Sequence, residues 1–385
     1  MKIINIKKIN IKNKKILIRA DLNVPINNEK IISPSRILSS LKTIKYALKK
    51  KAKVMVMSHL GRPKEGEYNK KYSLFPIFKY IKKRIKKTKV KFIKKYFEKI
   101  KIKSGELAIL ENVRFNIGES KNNNELSKKY AKICDIFVMD AFGTAHRKQS
   151  STYGVSKFSK ISCAGILLNS EIKFLKKALI NPKKPMISII GGSKISTKFT
   201  ALKALAKISD YVIVGGGIAN TFLAINNKIG KSIHEKKFIK EAKKLKKKFN
   251  IIIPIDSRIG TTFNKKTKSK IKKINKIKQN EEIMDFGDKT IKMIKPIIKK
   301  AKTILWNGPV GVFEFPNFCK GTKFIAKEIA KNKYFSIAGG GDTIAVIEMF
   351  NIKKKISYIS TGGGAFLKFI EGKMPGIEIL KIKKK

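Results

Sequence analysis

The chain has 385 residues, 42% of them hydrophobic, and carries a formal charge of +63 at pH 7. This length suits two domains with buried cores, and no apolar run approaches the roughly 18 residues that a membrane span requires. Three cysteines that lie far apart and form no CxxC pair suggest neither a disulfide framework nor a zinc site. We therefore expect a cytoplasmic protein without a membrane partner.

The positive charge is carried almost entirely by lysine, which supplies 82 of the 89 cationic side chains. Such a charge can attract nucleic acid or anionic membranes. The lysines are spread over the whole chain together with many Ile and Asn residues, as A+T-rich codons produce, so we expect only non-specific contact with nucleic acid. The few arginines are more informative, because a guanidinium group can bind phosphate or carboxylate through two hydrogen bonds. They are Arg19, Arg36, Arg62, Arg84, Arg114, Arg147 and Arg258.

The first half alternates short apolar runs, which read as strands, with helical patterns such as residues 35–50. The runs are 15–18, 54–57, 107–110 and 136–139. This alternation predicts βα units around a mostly parallel, buried sheet. Ligands of such sheets lie beyond the carboxyl ends of the strands. Those ends carry polar side chains that favour a pocket for a small anion with carboxylate and phosphate groups: Asp21, Asn23, His59, Arg62, Arg114 and Arg147.

Two segments in the middle of the chain have distinct patterns. Residues 81–103 are intensely basic, and we interpret them as a helix and strand of the first domain rather than as an element for membranes or nucleic acid. Residues 164–181 place apolar side chains at helical spacing and end at Asn181-Pro182, which predicts a helix that connects two domains.

The second half repeats the alternation, but its strands end in glycine-rich turns. The predicted strands are 186–190, 211–214, 303–305, 335–338 and 356–360. Glycines at strand-to-helix turns let backbone N–H groups approach phosphate. With Lys194, Lys198 and Asp342 nearby, these turns predict a site for nucleotide phosphates and magnesium. None of them matches the Walker A pattern or the dinucleotide fingerprint. Residues 264–279, rich in lysine, predict a surface excursion.

The ordered motifs of the chain resemble those of phosphoglycerate kinases from Lys15 to about Gly376. They are RADLNVP (19–25), SHLGRP (58–63), ENVRF (111–115), DAFGTAHR (140–147), GGSKISTK (191–198), VGGGIANTF (214–222), WNGPVGVFE (306–314), AGGGDT (338–343) and STGGGA (360–365). The resemblance implies an α/β fold of two doubly wound, Rossmann-like parallel-sheet domains. It places the first domain at 1–165 with the tail 371–385 folding back onto it, a hinge helix at 166–182 and the second domain at 183–370.

The resemblance also implies an activity, namely reversible transfer of a phosphoryl group between ATP and the carboxylate of 3-phosphoglycerate in glycolysis, by a monomer with magnesium. The residues implied for 3-phosphoglycerate are Asp21, Asn23, Arg36, His59, Arg62, Arg114 and Arg147. Those implied for the nucleotide are Lys194, Lys198, Gly215, Gly216, Asn307, Pro309, Val312, Glu314, Gly339, Gly340, Gly341, Asp342 and Thr343, with Asp342 on the metal. Those implied for the transfer itself are Arg36, Lys194, Gly362, Gly363 and Gly364.

The chain departs from the family pattern at three places. Pro34 stands where Asp or Asn is more frequent, Ile166 stands where a proline is usual, and the segment 371–376 is one residue short. These departures put the hinge in question more than the chemistry. Three alternatives remain for experiment, namely another ATP-dependent transferase for a small phosphorylated acid, a nucleic-acid-binding protein, and an inactive descendant of the enzyme.

Overall fold

The computed structural model describes residues 3–98 and 100–381. Residues 1, 2, 99 and 382–385 lie outside this description, and with them the first two residues of the predicted first domain and the last four of the predicted tail. The described chain forms two compact units. Unit 1 runs up to Lys173 and resumes at Gly372, and unit 2 is Phe174–Glu371. Among the described residues, no helix is long and apolar enough to cross a membrane.

Unit 1 is built on a fully parallel sheet whose strands follow the order β5-β6-β4-β1-β7-β8 in the described residues. A short antiparallel ribbon, β2–β3, follows the first strand of the sheet. The strands are β1 Lys15–Arg19, β2 Ile26–Asn27, β3 Lys30–Ile31, β4 Lys53–Met57, β5 Val90–Ile93, β6 Leu107–Leu110, β7 Ile136–Met139 and β8 Ile161–Ala164. The helices are α1 Ser35–Lys49, α2 Phe75–Arg84, α3 Asn124–Lys132 and α4 Val155–Phe158, and α5 Ile166–Leu179 leads into unit 2.

The central strands of unit 1 read as unbroken apolar runs because both faces of the sheet are covered. β6 and β7 are buried at every position, as parallel sheets between helical layers require. One face packs Ile16 and Ile18 against α1, whose Ile37 and Ile44 belong to the same core. The predicted helix and strand within residues 81–103 are confirmed by the end of α2 and by β5.

Unit 2 contains a second parallel sheet, and its described strands follow the order β11-β10-β9-β15-β16-β17. A separate antiparallel sheet of order β13-β12-β14 completes the unit. The strands are β9 Met186–Ile190, β10 Tyr211–Val214, β11 Ile251–Ile252, β12 Asp256–Gly260, β13 Lys270–Lys273, β14 Glu282–Phe286, β15 Thr303–Asn307, β16 Phe335–Ala338 and β17 Tyr358–Ile359. The helices are α6 Phe199–Ala206, α7 Gly216–Leu223, α8 Ile239–Lys248, α9 Asp288–Lys300, α10 Lys320–Lys331, α11 Gly341–Met349 and α12 Gly364–Ile370.

The main sheet of unit 2 reverses its winding direction between β9 and β15. In chain order its strands follow the 3-2-1-4-5-6 arrangement of a doubly wound fold, which opens a crevice at the carboxyl edge where the order reverses. Two parallel-sheet folds were predicted from the sequence, and the structure confirms them. The small antiparallel sheet was not predicted, and its strand β13 runs through the lysine-rich stretch 264–279.

The chain returns to unit 1 through a last helix, α13, at Pro375–Glu378. The Gly376 N–H donates to the Ala145 carbonyl at 2.9 Å. A Cβ at Gly376 would lie 3.1 Å from the carbonyl oxygens of Ala145 and Thr152, so this close approach favours glycine. The returning segment therefore packs directly behind the loop that carries Arg147.

Candidate functional site

The polar residues predicted in unit 1 gather at the carboxyl edge of its sheet. Asp21 and Asn23 follow β1, His59 and Arg62 follow β4, Arg114 follows β6 and Arg147 follows β7. Since these strands are parallel neighbours, their carboxyl ends meet at one edge, and the winding direction reverses there between β1 and β7. Arg36 joins them from the first turn of α1.

Arg36 is oriented by two groups from the loop after β1. Its Nη1 lies 3.2 Å from Asp21 Oδ2 and donates to the Asn23 carbonyl at 3.1 Å. The Asn23 Oδ1 in turn accepts from the Gly61 N–H at 3.0 Å, which ties this loop to the one after β4. A third of the Arg36 side chain remains exposed, so the guanidinium group is held in place and still open to a ligand.

His59 lies almost fully buried among cations. Burial lowers the pKa of its imidazole well below the usual value, and the nearby charges of Arg19, Arg114, Arg147 and Arg36 lower that pKa further. The ring is therefore neutral at physiological pH. It serves here as a hydrogen-bonding group rather than as a charge.

Arg114 and Arg147 add further positive charge to this cluster, although Glu119 acts on Arg114 and Asp21 on Arg147 in the opposite direction. Burial lowers the pKa of Arg114 to about 10, and Arg147, Arg19 and Arg62 act in the same direction. Burial also lowers the pKa of Arg147. An anion bound here relieves the mutual repulsion of these groups, so their arrangement favours a ligand with more than one negative charge.

Sequence reasoning did not assign a role to three buried residues behind these arginines, namely Arg19, Glu119 and Ser151. Arg19 is 1% exposed and Glu119 is also 1% exposed, and Ser151 lies between them. The one available signal was an arginine at the end of an apolar strand in a chain that otherwise uses lysine. Nothing local pointed to Glu119 or Ser151.

The glycine turns of unit 2 lie at the carboxyl edge of its sheet and approach one another too closely for side chains. A Cβ at Gly191 would lie 1.7 Å from the Pro309 carbonyl oxygen, and one at Gly217 would lie 2.0 Å from that of Ser193. Gly308 has φ +100°, a conformation that favours glycine. The turns after β9, β10 and β15 therefore form one continuous surface of backbone.

The ammonium group of Lys198 lies against this backbone surface. Its Nζ donates to the Gly191 carbonyl at 2.6 Å, and a Cβ at Gly308 would lie 3.0 Å from the same Nζ. Burial lowers the pKa of Lys198 to about 8, while the charge of Asp342 raises it. A half-buried ammonium group beside bare glycine turns suits the phosphates of a nucleotide.

Asn307 and Thr343 lock the turns after β15 and β16. The Asn307 Nδ2 donates to the Gly339 carbonyl at 2.6 Å, and the Thr343 Oγ1 accepts from the Gly308 N–H at 2.7 Å. The buried Asn307 Oδ1 has no hydrogen-bond partner within the described residues. This oxygen can accept from a ligand or from a water of hydration.

The structure also limits what kind of metal site unit 2 can supply. Asp342 is exposed in the first turn of α11. Within the described part of the chain, no three His, Cys, Asp or Glu residues cluster as metal ligands. A magnesium ion fits only if it takes most of its ligands from nucleotide phosphates and water, as magnesium commonly does.

The remaining predicted residues of unit 2 lie on turns around the same sheet. Val312 donates its N–H to the Met284 carbonyl, which joins the turn after β15 to β14. The other positions differ in exposure. Lys194 and Glu314 are exposed, Pro309 and Gly215 are buried, and a Cβ at Gly341 or Gly364 would meet nothing within 4 Å. Gly362 and Gly363 precede α12, and Gly216, Gly340 and Gly363 have positive φ.

Comparison with known proteins identifies the family. The family model described as phosphoglycerate kinase matches residues 6–373. Phosphoglycerate kinases from Buchnera aphidicola are 68% identical over 375 residues in the Schizaphis graminum strain, covering 97% of each chain, and 61% identical over 382 residues in the Baizongia pistaciae strain, covering 99% of this chain and 97% of that one.

Solved structures agree with this. Phosphoglycerate kinase from Coxiella burnetii superposes with a TM-score of 0.94 at 44% identity over 98% of this chain and 99% of that one. The enzyme from Pyrococcus horikoshii superposes with a TM-score of 0.82 at 31% identity over 98% of each chain. The chain belongs to the phosphoglycerate kinase family.

Proposed function

We propose that this chain transfers a phosphoryl group reversibly between ATP and the carboxylate of 3-phosphoglycerate, giving 1,3-bisphosphoglycerate and ADP, as an enzyme of glycolysis. The observation that carries the proposal is the cluster of guanidinium groups around a neutral His59 at the sheet edge of unit 1. This cluster supplies a site for a small ligand with several negative charges, in a chain that belongs to the phosphoglycerate kinase family.

Unit 1 binds the acid in this proposal. Arg114, Arg147 and Arg62 supply charge for the phosphate end, because forked guanidinium donors match phosphate oxygens. Asn23 and His59 supply neutral hydrogen bonds, which fix orientation without adding charge. Asp21 holds Arg36 through the 3.2 Å ion pair, so that its remaining donors meet the reacting carboxylate.

Unit 2 binds the nucleotide. Lys198 and the backbone N–H groups of the turn after β16 receive its phosphates, and Asp342 would hold the accompanying magnesium. Magnesium, when bound, neutralises charge on the phosphates. The surface around Gly215, Gly216, Pro309 and Val312 receives the adenine and ribose, with Glu314 at its rim.

The transfer step requires positioning of the reactants and stabilisation of charge, and it does not require a general base. The acceptor is already a carboxylate, so no proton has to be removed. We assign Arg36 and Lys194 to neutralising charge on the equatorial oxygens of the phosphoryl group, and the turn Gly362–Gly364 to supplying N–H donors. We also propose that the enzyme acts as a cytoplasmic monomer.

The test is ADP formation from magnesium and ATP, measured with and without 3-phosphoglycerate and with other small phosphorylated acids, at several salt concentrations. Turnover that requires 3-phosphoglycerate supports the proposal. Turnover with a different acid alone identifies another transferase. A folded protein without turnover at any salt concentration identifies an inactive descendant.

A further inference from the structure

Three buried residues that lie behind the ligand-facing groups of unit 1 form a hydrogen-bonded row. The Arg19 Nε donates to Ser151 Oγ at 2.9 Å, and the Ser151 hydroxyl donates to Glu119 Oε1 at 2.5 Å. The Ser151 backbone N–H donates to the other carboxyl oxygen, Glu119 Oε2, at 3.1 Å. Arg19 and Glu119 are each 1% exposed and Ser151 is fully buried, so solvent does not compete for these contacts.

This row fixes the plane of the Arg19 guanidinium group. Nε is held by Ser151, and Nη1 donates to the carbonyl of Ala20 at 2.5 Å. The remaining nitrogen, Nη2, lies 3.3 Å from His59 Nδ1. Because Nε and Nη1 are both held by buried hydrogen bonds, the guanidinium group cannot turn Nη2 away from the imidazole without breaking them.

The chemistry of arginine then decides where the His59 proton resides. A guanidinium group donates hydrogen bonds and cannot accept them. The Nδ1 that faces Arg19 Nη2 must therefore be the acceptor nitrogen, and in a neutral ring the proton is left on Nε2. Within the described residues, the His59 ring is hydrogen-bonded by Arg19 Nη2 at Nδ1, and Nε2 is left available as a donor.

We propose that Arg19, held by Ser151 and Glu119, is a positioning residue that fixes His59 as a neutral imidazole with its proton on Nε2, ready to donate to a carboxylate or phosphate oxygen. The identification of that anion as the acid substrate rests on the proposed function. The positioning itself does not.

The electrostatic surroundings agree with this geometry. Burial lowers the pKa of His59 well below its usual value, and the charge of Arg19 is the next cause. Burial raises the pKa of Glu119 to about 7, against the opposing effects of Ser151 and Arg19. A neutral donor adds no further positive charge to a cluster that already contains Arg114 and Arg147, and it gives direction to the bound anion.

The test is nitrogen NMR on protein labelled with ¹⁵N-histidine, without ligand. The chain has three histidines, and His59→Gln assigns the signal. We expect His59 in the wild type to be neutral, with its proton on Nε2, at pH 8, where the Glu119 carboxyl is ionised. A proton on Nδ1, or a doubly protonated ring, at that pH would overturn the proposal.

Ser151→Ala removes the link between Glu119 and Arg19. We expect the two ring nitrogens of His59 to shift towards each other as the tautomers mix, and the KM for 3-phosphoglycerate to rise about two- to tenfold with kcat changed less than twofold. Nitrogen shifts like those of the wild type would overturn the positioning role. Should this variant fail to fold, Glu119→Gln replaces it, because the amide cannot accept from both donors of Ser151, and the same shifts are expected.

Ser150→Ala is the matched control. Ser150 is also fully buried, but its hydroxyl donates to the backbone carbonyls of Gly118 and Asn123 at 3.0 and 3.3 Å. We expect it to lose stability without changing the His59 nitrogen shifts. Expected spectra in a protein without 3-phosphoglycerate turnover would reject the proposed function alone, and turnover with the wrong tautomer would reject the positioning role alone.

Discussion

Raising the pH from 7.5 to 9.5 is expected to weaken ADP binding about 25-fold through Lys198 alone. Burial lowers the pKa of this lysine to about 8 in the free protein, and a bound phosphate restores the charged form. The free protein must therefore take up a proton to bind once the pH exceeds 8, and each further pH unit weakens binding about tenfold. The phosphate groups of ADP are already ionised throughout this range, since the last phosphate pKa is about 6.

The assay can use the intrinsic fluorescence of the protein, because the chain has one tryptophan. Trp306 is buried beside the site, and its indole Nε1 donates to the Gly308 carbonyl at 3.0 Å. Titration with ADP at each pH gives the dissociation constant. Lys198→Met is expected to bind weakly at every pH. Lys203→Met changes an exposed lysine on α6, the helix that begins directly after Lys198, and is expected to keep the wild-type pH dependence.

A wild-type affinity that stays constant from pH 7.5 to 9.5 would refute this reasoning. So would a Lys198→Met variant that retains the pH dependence. Either result would remove Lys198 from the phosphate site and leave the glycine turns as the remaining support for nucleotide binding in unit 2.

Four other predictions follow from single residues. Arg36→Lys should lower kcat at least tenfold in the coupled assay, because lysine keeps the charge but loses the fork that Asp21 orients; unchanged turnover would exclude a role for paired hydrogen bonds. Asp342→Ala should weaken binding of magnesium and ADP more than binding of 3-phosphoglycerate by calorimetry, and equal losses would contradict the division between units. Gly308→Ala should destabilise unit 2 by about 2 kcal/mol or more in urea unfolding. Residue 308 has φ +100°, and a Cβ there would lie 2.2 Å from the Gly191 carbonyl oxygen. An unchanged unfolding midpoint would show that the turn relaxes. Burial raises the pKa of Asp285 to about 7, so its contribution to the free energy of unfolding is present at pH 4 and is lost as the pH rises to 7. Asp285→Asn should reduce this loss of stability between pH 4 and pH 7 by at most about 4 kcal/mol. A pH profile of stability like that of the wild type would contradict the prediction.

The sheets were predictable because their strands are buried on both faces. β6, β7, β9 and β10 have the bounds expected from the sequence, since a strand covered on both sides reads as an unbroken apolar run that ends where the chain turns to solvent. The glycines that follow these runs in unit 2 predicted the turns, and with them the positions from which a nucleotide site can be built.

The antiparallel sheet of unit 2 gave no such signal. Its strand β13, with the sequence KIKK, is mostly exposed, so its lysines show neither an apolar run nor a regular alternation. Pairing with β12 defines the strand, as Asp256 lies opposite Lys273. Strands of this kind depend on partners that sequence pattern alone does not reveal.

The buried row behind His59 was also beyond sequence reasoning, for a different physical reason. Arg19 and Ser151 are 132 positions apart, and they meet because β1 and β7 are neighbours in the sheet. A charged residue at the end of a strand looks the same in the sequence whether it faces water or a carboxyl group. Strand order decides between these cases, and it became known only from the structure.

The return of the chain to unit 1 has a consequence for synthesis on the ribosome. Unit 2 is one continuous stretch, whereas unit 1 includes α13 and the bridge between Ile3 and Lys381. A nascent chain that has emerged only as far as Lys173 lacks the residues that cover Ala145 and Thr152, and it acquires them about two hundred residues later. The first unit to begin translation is therefore the last to be completed, and the loop that carries Arg147 gains this packing only after the whole of unit 2 has been made.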